Sequence, residues 1–308
     1  MAGGGEPTDP VSEQRLLPEL FRLADGASLL GQRRAVSLVR WELALLTGAA
    51  ALAALGPAAC SWAAAAGYLA AAVLAALLTR QQPQGLWYEG RAAAESVKTL
   101  AWKYAVRADQ GRRPPTGPPD AERLYHRQLA DLLRAFRDSP VLPADPGQHT
   151  VVTEAMRELR AQPLAVRREV YLRERVEAQR AWYRDKAAHC DRAGRLTDWL
   201  GVLLPGLALP GAVLRALGLL GLEPLGALSA LAASVIAWSQ LRQYRPLAAA
   251  YRLAAEELAL VREQLAGLDP AAKGSEELWA RLARDAEDAV SREHTTWQAR
   301  REVRDPGD

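Results

Sequence analysis

The segment from Leu43 to Thr79 contains 37 residues without one charged side chain. One crossing of a bilayer needs about 20 apolar residues, so this segment is too long for a single span and suits two. Gly56 and Pro57 interrupt it near the middle. The pattern predicts a hairpin of two membrane helices, at 41–55 and 59–79.

A second apolar region covers residues 199–241, and Arg215 and Glu223 are the charged residues that interrupt it. It divides in the same way and predicts spans at 196–214 and 225–241. The alternative is a soluble helical bundle with an alanine- and leucine-rich core. Two facts support this alternative. Alanine is weakly apolar, and the large apolar side chains of the span at 59–79 favour membrane insertion by only about 2 kcal/mol.

The residues that flank the spans favour the membrane reading. Tryptophans stand where an interfacial aromatic belt belongs, at Trp41, Trp62, Trp199 and Trp238. Arginines and lysines gather at the open ends of both hairpins, and the tip at residues 56–60 has none. By the positive-inside rule we expect a multi-pass protein of the cytoplasmic (inner) membrane, with four spans and both termini in the cytoplasm.

The composition predicts an all-α fold. Alanine, leucine and arginine dominate the 308 residues, and there are only two phenylalanines. We therefore expect an integral membrane helical protein of two tandem modules, each with a two-helix transmembrane hairpin flanked by cytoplasmic helices.

A repeat at an offset of 161 residues supports the tandem arrangement. Arg91 and Glu95 superpose on Arg252 and Glu256, and an apolar heptad seam superposes with them. Duplication explains this repeat better than coincidence in a chain rich in alanine and leucine does.

These patterns predict the following division of the chain. A disordered tail at 1–14 precedes the first module at 15–140, whose main cytoplasmic helix is 86–108. A linker at 141–162 leads to the second module at 163–303, with cytoplasmic helices at 165–195, 246–266 and 275–303.

Three stretches resemble a known family. The stretch "YEGRAAAESVKTLAWKYA", from Tyr88 to Ala105, is similar to the SLATT domains. These domains are two-transmembrane modules associated with SMODS-type nucleotidyltransferases and SLOG-type nucleotide sensors in bacteria. "REVYLRERVEAQRAWYRDKA" at 168–187 and "SREHTTWQARRE" at 291–302 resemble the start and end of another SLATT subtype. The second module lacks the Ser-x-Lys-Thr of the first.

The resemblance implies a membrane effector that forms oligomeric pores or perturbs the membrane in a bacterial conflict or anti-phage response. It also implies a bacterial source, which we expect to be actinobacterial, and a gate made of the cytoplasmic helices. The expected partners are the lipid bilayer, further copies of the chain, and a nucleotide-sensing or nucleotidyltransferase protein. The alternative is a membrane-anchored helical scaffold that recruits signalling partners without conducting.

Two groups of residues are candidates for this role. A cytoplasmic coupling face would bind the helices of a neighbouring module or subunit; it comprises Arg91, Glu95, Lys98, Trp102, Arg252 and Glu256. Exposed i,i+4 pairs of little energetic weight are the alternative. Pro205 and Pro210 lie inside the third span and predict a kinked segment, which either lines a pore or packs against its neighbours.

Catalytic patterns are missing from the sequence. The four histidines show no metal-binding spacing, and there is no phosphate-binding glycine loop or nucleophile elbow. The two cysteines, Cys60 and Cys190, form no CxxC pair. We expect a protein that is not an enzyme, has no catalytic, cofactor-binding or metal-binding residues, needs no cofactor and binds no nucleic acid.

Overall fold

A computed structural model describes the backbone of residues 12–109, 117–137, 139–142, 150–219 and 224–302, and side chains as far as residue 289. Every regular element in these ranges is helical, which confirms the predicted all-α fold. The predicted tail lies largely outside the described residues. Its last part does not match the prediction, because Glu13 and Gln14 already belong to a short helix.

Within the ranges described, the first half of the chain has five helices. They are α1 (Glu13–Leu16), α2 (Glu19–Ala53), α3 (Ala58–Gln81), α4 (Pro83–Ala105) and α5 (Pro118–Ala135). The α2–α3 turn falls at Gly56, whose positive φ of 89° suits glycine. Helix α4 contains most of the predicted cytoplasmic helix 86–108.

The second half begins with α6 (Glu154–Ala161), a helix where the sequence predicted only a linker. Thr153 caps it, since its hydroxyl accepts a hydrogen bond from the backbone N–H of Met156. The remaining elements are α7 (Leu164–Tyr171), a π-helix (Leu172–Glu177), α8 (Ala178–Ala216), α9 (Pro224–Arg242), α10 (Tyr244–Ala266) and α11 (Ser275–Glu302).

The residues group into two compact units, and each unit takes helices from both halves of the chain. The polar unit comprises residues 1–30, 85–181 and 255–308, and the apolar unit comprises residues 31–84 and 182–254. The predicted hairpins therefore belong to one unit, and most of the polar helices belong to the other.

Three helical stretches are long and apolar enough to cross a membrane: Glu19–Ala53, Ala58–Ala105 and Leu164–Ala216. Only 11 % of the apolar window in each is buried inside the chain, so these windows need lipid or other subunits around them. The chain is an all-α membrane protein. Helix α9 covers the predicted fourth span but is not among the three, so the four-span arrangement stays a prediction.

Small residues bring the first two predicted spans together in the apolar unit. A Cβ atom on Gly67 would lie 3.1 Å from the Cβ of Ala49, so α2 and α3 approach closely there. Ala49, Ala64 and Ala71 are buried. A hydroxyl pair joins α2 to α9, with 2.8 Å between Thr47 Oγ1 and Ser234 Oγ.

Candidate functional site

Four of the predicted coupling residues lie on α4 in the polar unit. Glu95, Lys98 and Trp102 are buried there, and Arg91 pairs with Glu95 at 2.8 Å. Lys98 Nζ lies 2.8 Å from Glu13 Oε1, and Trp102 Nε1 donates to the same oxygen at 3.1 Å. Lys98 and Trp102 therefore bind α1 of the same chain, and their side chains are turned away from solvent.

An aromatic stack extends from Trp102 into the second half of the sequence. The ring of Tyr171 lies edge-on to Trp102, with 5.6 Å between the ring centroids. Trp279 lies edge-on to the other side of Tyr171, at 5.7 Å. All three side chains are buried, and edge-to-face packing of this kind stabilises a core beyond the area that it buries.

A buried ion pair lies next to this stack. Arg175 of the π-helix binds Glu287 of α11 through two hydrogen bonds of 2.9 Å, and the Tyr171 hydroxyl donates to the same carboxylate at 2.9 Å. Both charged side chains are at most 2 % exposed.

The local charges favour the charged form of Arg175. Burial alone would lower the pKa of Arg175, but the charge of Glu287, assisted by Glu95, raises it above its ordinary value. Bidentate geometry and the tyrosine hydrogen bond satisfy the carboxylate, which a buried pair of this kind requires.

The C-terminal end of α4 is fixed by donors from later helices. The carbonyl oxygen of Val106 accepts hydrogen bonds from Arg167 Nη1 and from Trp279 Nε1, each at 2.8 Å. Arg167 is fully buried, and its Nη2 contacts both carboxylate oxygens of Glu276 at 2.5 and 2.7 Å. Cationic side chains at a helix C-terminus complement the helix dipole.

A second ion pair lies just beyond this helix end. Asp109 is buried, and Arg160 Nη1 lies 3.0 Å from its Oδ1. Burial raises the pKa of Asp109, and the charge and hydrogen bond of Arg160 oppose that change. Arg284 of α11 donates to the neighbouring carbonyl of Ala108 at 3.0 Å, so three later segments hold this end of α4.

Arg252 and Glu256, which the repeat superposes on Arg91 and Glu95, have different surroundings from those two residues. Arg252 belongs to the apolar unit, where it pairs with Asp191 at 2.8 Å. Glu256 belongs to the polar unit and is exposed, whereas Glu95 is 4 % exposed. Identical residues at the two positions of the repeat therefore do not form equivalent sites, because the helices packed around them differ.

The predicted span residues lie in the apolar unit. Pro205 and Pro210 are exposed on α8, which remains helical through both. Three of the predicted anchors have mostly exposed side chains, namely Trp41, Trp62 and Trp199. Trp238 differs, since it packs against a core of Cys190, Tyr244 and Ala248.

The sequence alone did not single out Tyr171, Arg175, Glu287 or Arg167. A signal was present, because Arg167, Tyr171 and Arg175 recur at intervals of four and form one stripe. Charged residues of a mixed-charge helix are normally solvated, and nothing local indicates that these arginines are buried. The π-helix marks the same place, since such segments frequently occur at functional sites.

In the described part of the chain, no group of three or more His, Cys, Asp or Glu side chains could hold a metal ion. The buried residues described above hold helices of the polar unit together. They join the two halves of the chain through aromatic contacts, shared carbonyl acceptors and buried ion pairs.

Comparison with known proteins assigns these two halves to one family. The model described as SMODS and SLOG-associating 2TM effector domain 3 matches residues 18–168, and the model described as SMODS and SLOG-associating 2TM effector domain 1 matches residues 171–297. Searches of curated proteins and of solved structures find no match. The chain belongs to the SLATT family and consists of two tandem SLATT domains, which are two-transmembrane effector domains associated with conflict and defence systems.

Proposed function

We propose that the protein is an oligomeric effector that permeabilises or perturbs the cytoplasmic membrane in a bacterial conflict or anti-phage response. Both termini would lie in the cytoplasm, and the polar unit would gate the spans without catalysis. A nucleotide-sensing or nucleotidyltransferase protein would supply the signal. The SLATT matches support the general role as an effector.

The observation that carries the proposal is the exposure of the apolar helices. Large side chains on α3 and α8 point away from the chain, and 11 % of each span window is buried. Lipid alone could cover these faces, but assembly with further copies would also bury them. On these two helices the most exposed large apolar side chains are Trp62, Leu69, Trp199, Val202 and Leu209.

The proline face of α8 is the part best suited to change during permeabilisation. Pro205 and Pro210 each remove a backbone hydrogen bond, so the carbonyls four residues earlier lose their usual donor. Both prolines are exposed within the chain, and their neighbours Leu204 and Ala208 are buried. In an oligomer this face would meet another subunit or a water-filled path, where free carbonyls find partners.

The polar unit supplies the proposed restraint. Glu13 is a single acceptor shared by Lys98 and Trp102, and its side chain is 27 % exposed. A partner that withdrew Glu13 would leave a buried lysine and a buried indole N–H without their acceptor. Such a loss is costly in a protein interior, and it would favour rearrangement of α4.

One observation favours the second candidate, a membrane-anchored scaffold that does not conduct. Hydroxyl groups in the predicted spans bind within the chain: Thr47 with Ser234, and Thr197 with Ser239 and with its own helix. Polar groups satisfied in this way do not line a path for ions.

Dye release from proteoliposomes separates the two candidates. We would reconstitute the full chain in vesicles loaded with a self-quenched dye and compare it with Glu13→Ala. The proposal predicts release that Glu13→Ala accelerates. Vesicles that stay sealed with both proteins would contradict permeabilisation and leave the scaffold.

The prolines provide a second arm of the same experiment. Pro205→Ala combined with Pro210→Ala restores two backbone donors and should change the release rate several-fold. Pro246→Ala is the matched control, because Pro246 lies in the first turn of α10, where no helical hydrogen bond is missing. Equal rates for both variants would argue against a role for Pro205 and Pro210.

A further inference from the structure

A groove of the polar unit lies among helices α4, α5 and α11. The residues that α4 contributes recur at intervals of three and four, so they share one face of that helix. The groove has a volume of about 290 Å³, close to the lower end of the range for ligand pockets, about 300–1,000 Å³. Its lining consists of Ser96, Thr99, Leu100 and Lys103 of α4, Gln128 and Leu132 of α5, and Asp288 of α11.

One hydroxyl group of this groove is buried without a hydrogen bond. Thr99 is 5 % exposed, and among the described residues its Oγ1 has no hydrogen-bond partner. Threonine hydroxyls in helices often bond to a carbonyl one turn earlier, as Thr79 does with Ala75. A buried hydroxyl that lacks a partner costs free energy. Because Thr99 lines the groove, a ligand with an acceptor oxygen would remove that cost.

An ion pair lines the same groove. Lys103 Nζ lies 2.5 Å from Asp288 Oδ1, and the two side chains are 15 % and 47 % exposed. A lysine ammonium has three N–H donors, and this contact uses one of them. The other polar groups of the lining, the Ser96 hydroxyl and the Gln128 amide, are uncharged. The groove therefore presents one positive and one negative charge side by side, with a net charge of zero.

This arrangement of charges favours a zwitterionic ligand. Asp288 would repel a ligand that is only anionic, and Lys103 would repel a ligand that is only cationic. An α-amino acid has an ammonium and a carboxylate on one carbon atom, so it can face the ion pair with the opposite polarity. Its carboxylate would accept hydrogen bonds from Lys103 and Thr99, and its ammonium would donate to Asp288.

The rest of the lining favours an apolar side chain on that amino acid. Leu100 and Leu132 are partly exposed, and each lines the groove from a different helix. A ligand side chain that covered both leucines would remove apolar surface from water, which favours binding. The small volume suits a single amino acid better than a peptide.

We propose that this groove binds a free α-amino acid with an apolar side chain. The carboxylate contacts Lys103 and Thr99, the ammonium contacts Asp288, and the side chain packs on Leu100 and Leu132. Lys103 belongs to the first SLATT domain and Asp288 to the second, so the ligand links the two domains within the polar unit. The site goes beyond the proposed function and does not depend on it.

Equilibrium dialysis of the full-length protein in detergent tests the proposal. The probes are radiolabelled L-leucine, L-methionine and L-phenylalanine, each measured alone. At least one of them should bind saturably, with one molecule per chain. If none of the three binds saturably at millimolar concentration, the site does not exist.

Two variants of the groove and a matched control locate the binding. Lys103→Met keeps the aliphatic stem and removes the charge, and it should weaken binding about tenfold or more. Thr99→Val keeps the shape and removes the hydroxyl, and it should weaken binding about fivefold. Thr79→Val removes a threonine hydroxyl from α3 and should leave binding unchanged. Unchanged binding in both groove variants, or an equal loss in the control, would overturn the site.

Competition on the wild-type protein tests the ligand class without any substitution. Isocaproate is leucine without its ammonium, isoamylamine is leucine without its carboxylate, and glycine has no side chain. Each should compete with the bound amino acid at least about tenfold more weakly than leucine does. Competition as strong as that of leucine by any of the three would overturn the assignment to an apolar amino acid.

The dialysis measurement is independent of dye release. Amino-acid binding by a protein that releases no dye would contradict only the proposed permeabilisation. Dye release by a protein that binds none of the three amino acids would contradict only the groove site.

Discussion

Arg167, Arg175 and Glu287 of the polar unit are each at most 2 % exposed, while Trp62 of the apolar unit is 79 % exposed. The polar unit thus has charged side chains in its interior, and the apolar unit has large hydrophobic side chains on its surface. The contrast is expected if the polar unit is surrounded by water and the apolar unit by lipid. A charged side chain is buried in a protein interior only when it is paired, and an apolar side chain that faces lipid does not have to be covered by protein.

The difference also concerns what joins the two SLATT domains. In the polar unit the contacts between the domains are several and specific. The Trp102 and Tyr171 rings meet, Arg167 binds Glu276, and the carbonyls of Val106 and Ala108 accept hydrogen bonds from Trp279 and Arg284. In the apolar unit a hydroxyl pair, Thr47 and Ser234, links helices of the two domains. Substitutions in the polar unit should therefore cost much more free energy.

The largest effect is expected from Arg175→Ala. It leaves Glu287 buried without its partner, and breaking a buried pair in this way costs about 3–5 kcal/mol of unfolding free energy. Urea unfolding in detergent, followed by tryptophan fluorescence, measures the loss. Arg123→Ala, which removes an exposed arginine paired with Asp120, should cost at most about 1 kcal/mol. Similar losses in both variants would contradict the buried pair.

A smaller effect is expected from Gly90→Ala on α4. Its new Cβ atom would lie 2.7 Å from the backbone nitrogen of Ser28 and 3.0 Å from the carbonyl oxygen of Ala24. Backbone atoms cannot yield cheaply, so we expect a loss of about 1–3 kcal/mol by the same urea measurement.

Gly85 offers the matched control on the same helix. A Cβ atom there meets nothing within 4 Å, so Gly85→Ala should be neutral or stabilise the helix by up to about 1 kcal/mol. Equal losses at the two glycines would show that α2 and α4 do not pack as closely as described.

The smallest effect is expected from the hydroxyl pair of the apolar unit. Thr47→Val and Ser234→Ala should show a coupling energy of about 0.6 kcal/mol in a double-mutant cycle, the average for hydrogen bonds between membrane helices. Thr79→Val is the control, since Thr79 bonds to the carbonyl of Ala75 in its own helix. A coupling as large as the loss from Arg175→Ala would remove the contrast between the units.

The sequence predicted the features that depend on long patterns. The uncharged run from Leu43 to Thr79 predicted the α2–α3 hairpin with its turn at Gly56, because apolar length and a glycine turn are local properties. The positions of α4, α10 and α11 follow from helical periodicity for the same reason. The tandem SLATT arrangement followed from the three stretches at 88–105, 168–187 and 291–302.

Long-range packing could not be predicted in this way. The repeat equated Glu95 with Glu256, but their burial depends on helices that are distant in sequence. Arg175 and Glu287 are 112 residues apart, and neither has a local signal that distinguishes it from a solvated charge. Helix α6 was missed because its eight residues are too few for a clear period.

The two native cysteines provide the most direct test of the central claim, that the hairpins enter the membrane from the cytoplasm. Cys60 follows the tip of the first hairpin, and Cys190 precedes the third predicted span. In intact spheroplasts an impermeant maleimide should label Cys60 in a Cys190→Ser variant without any detergent. It should not label a Cys60→Ser variant. Labelling of Cys60 only after the membrane is opened would contradict this topology.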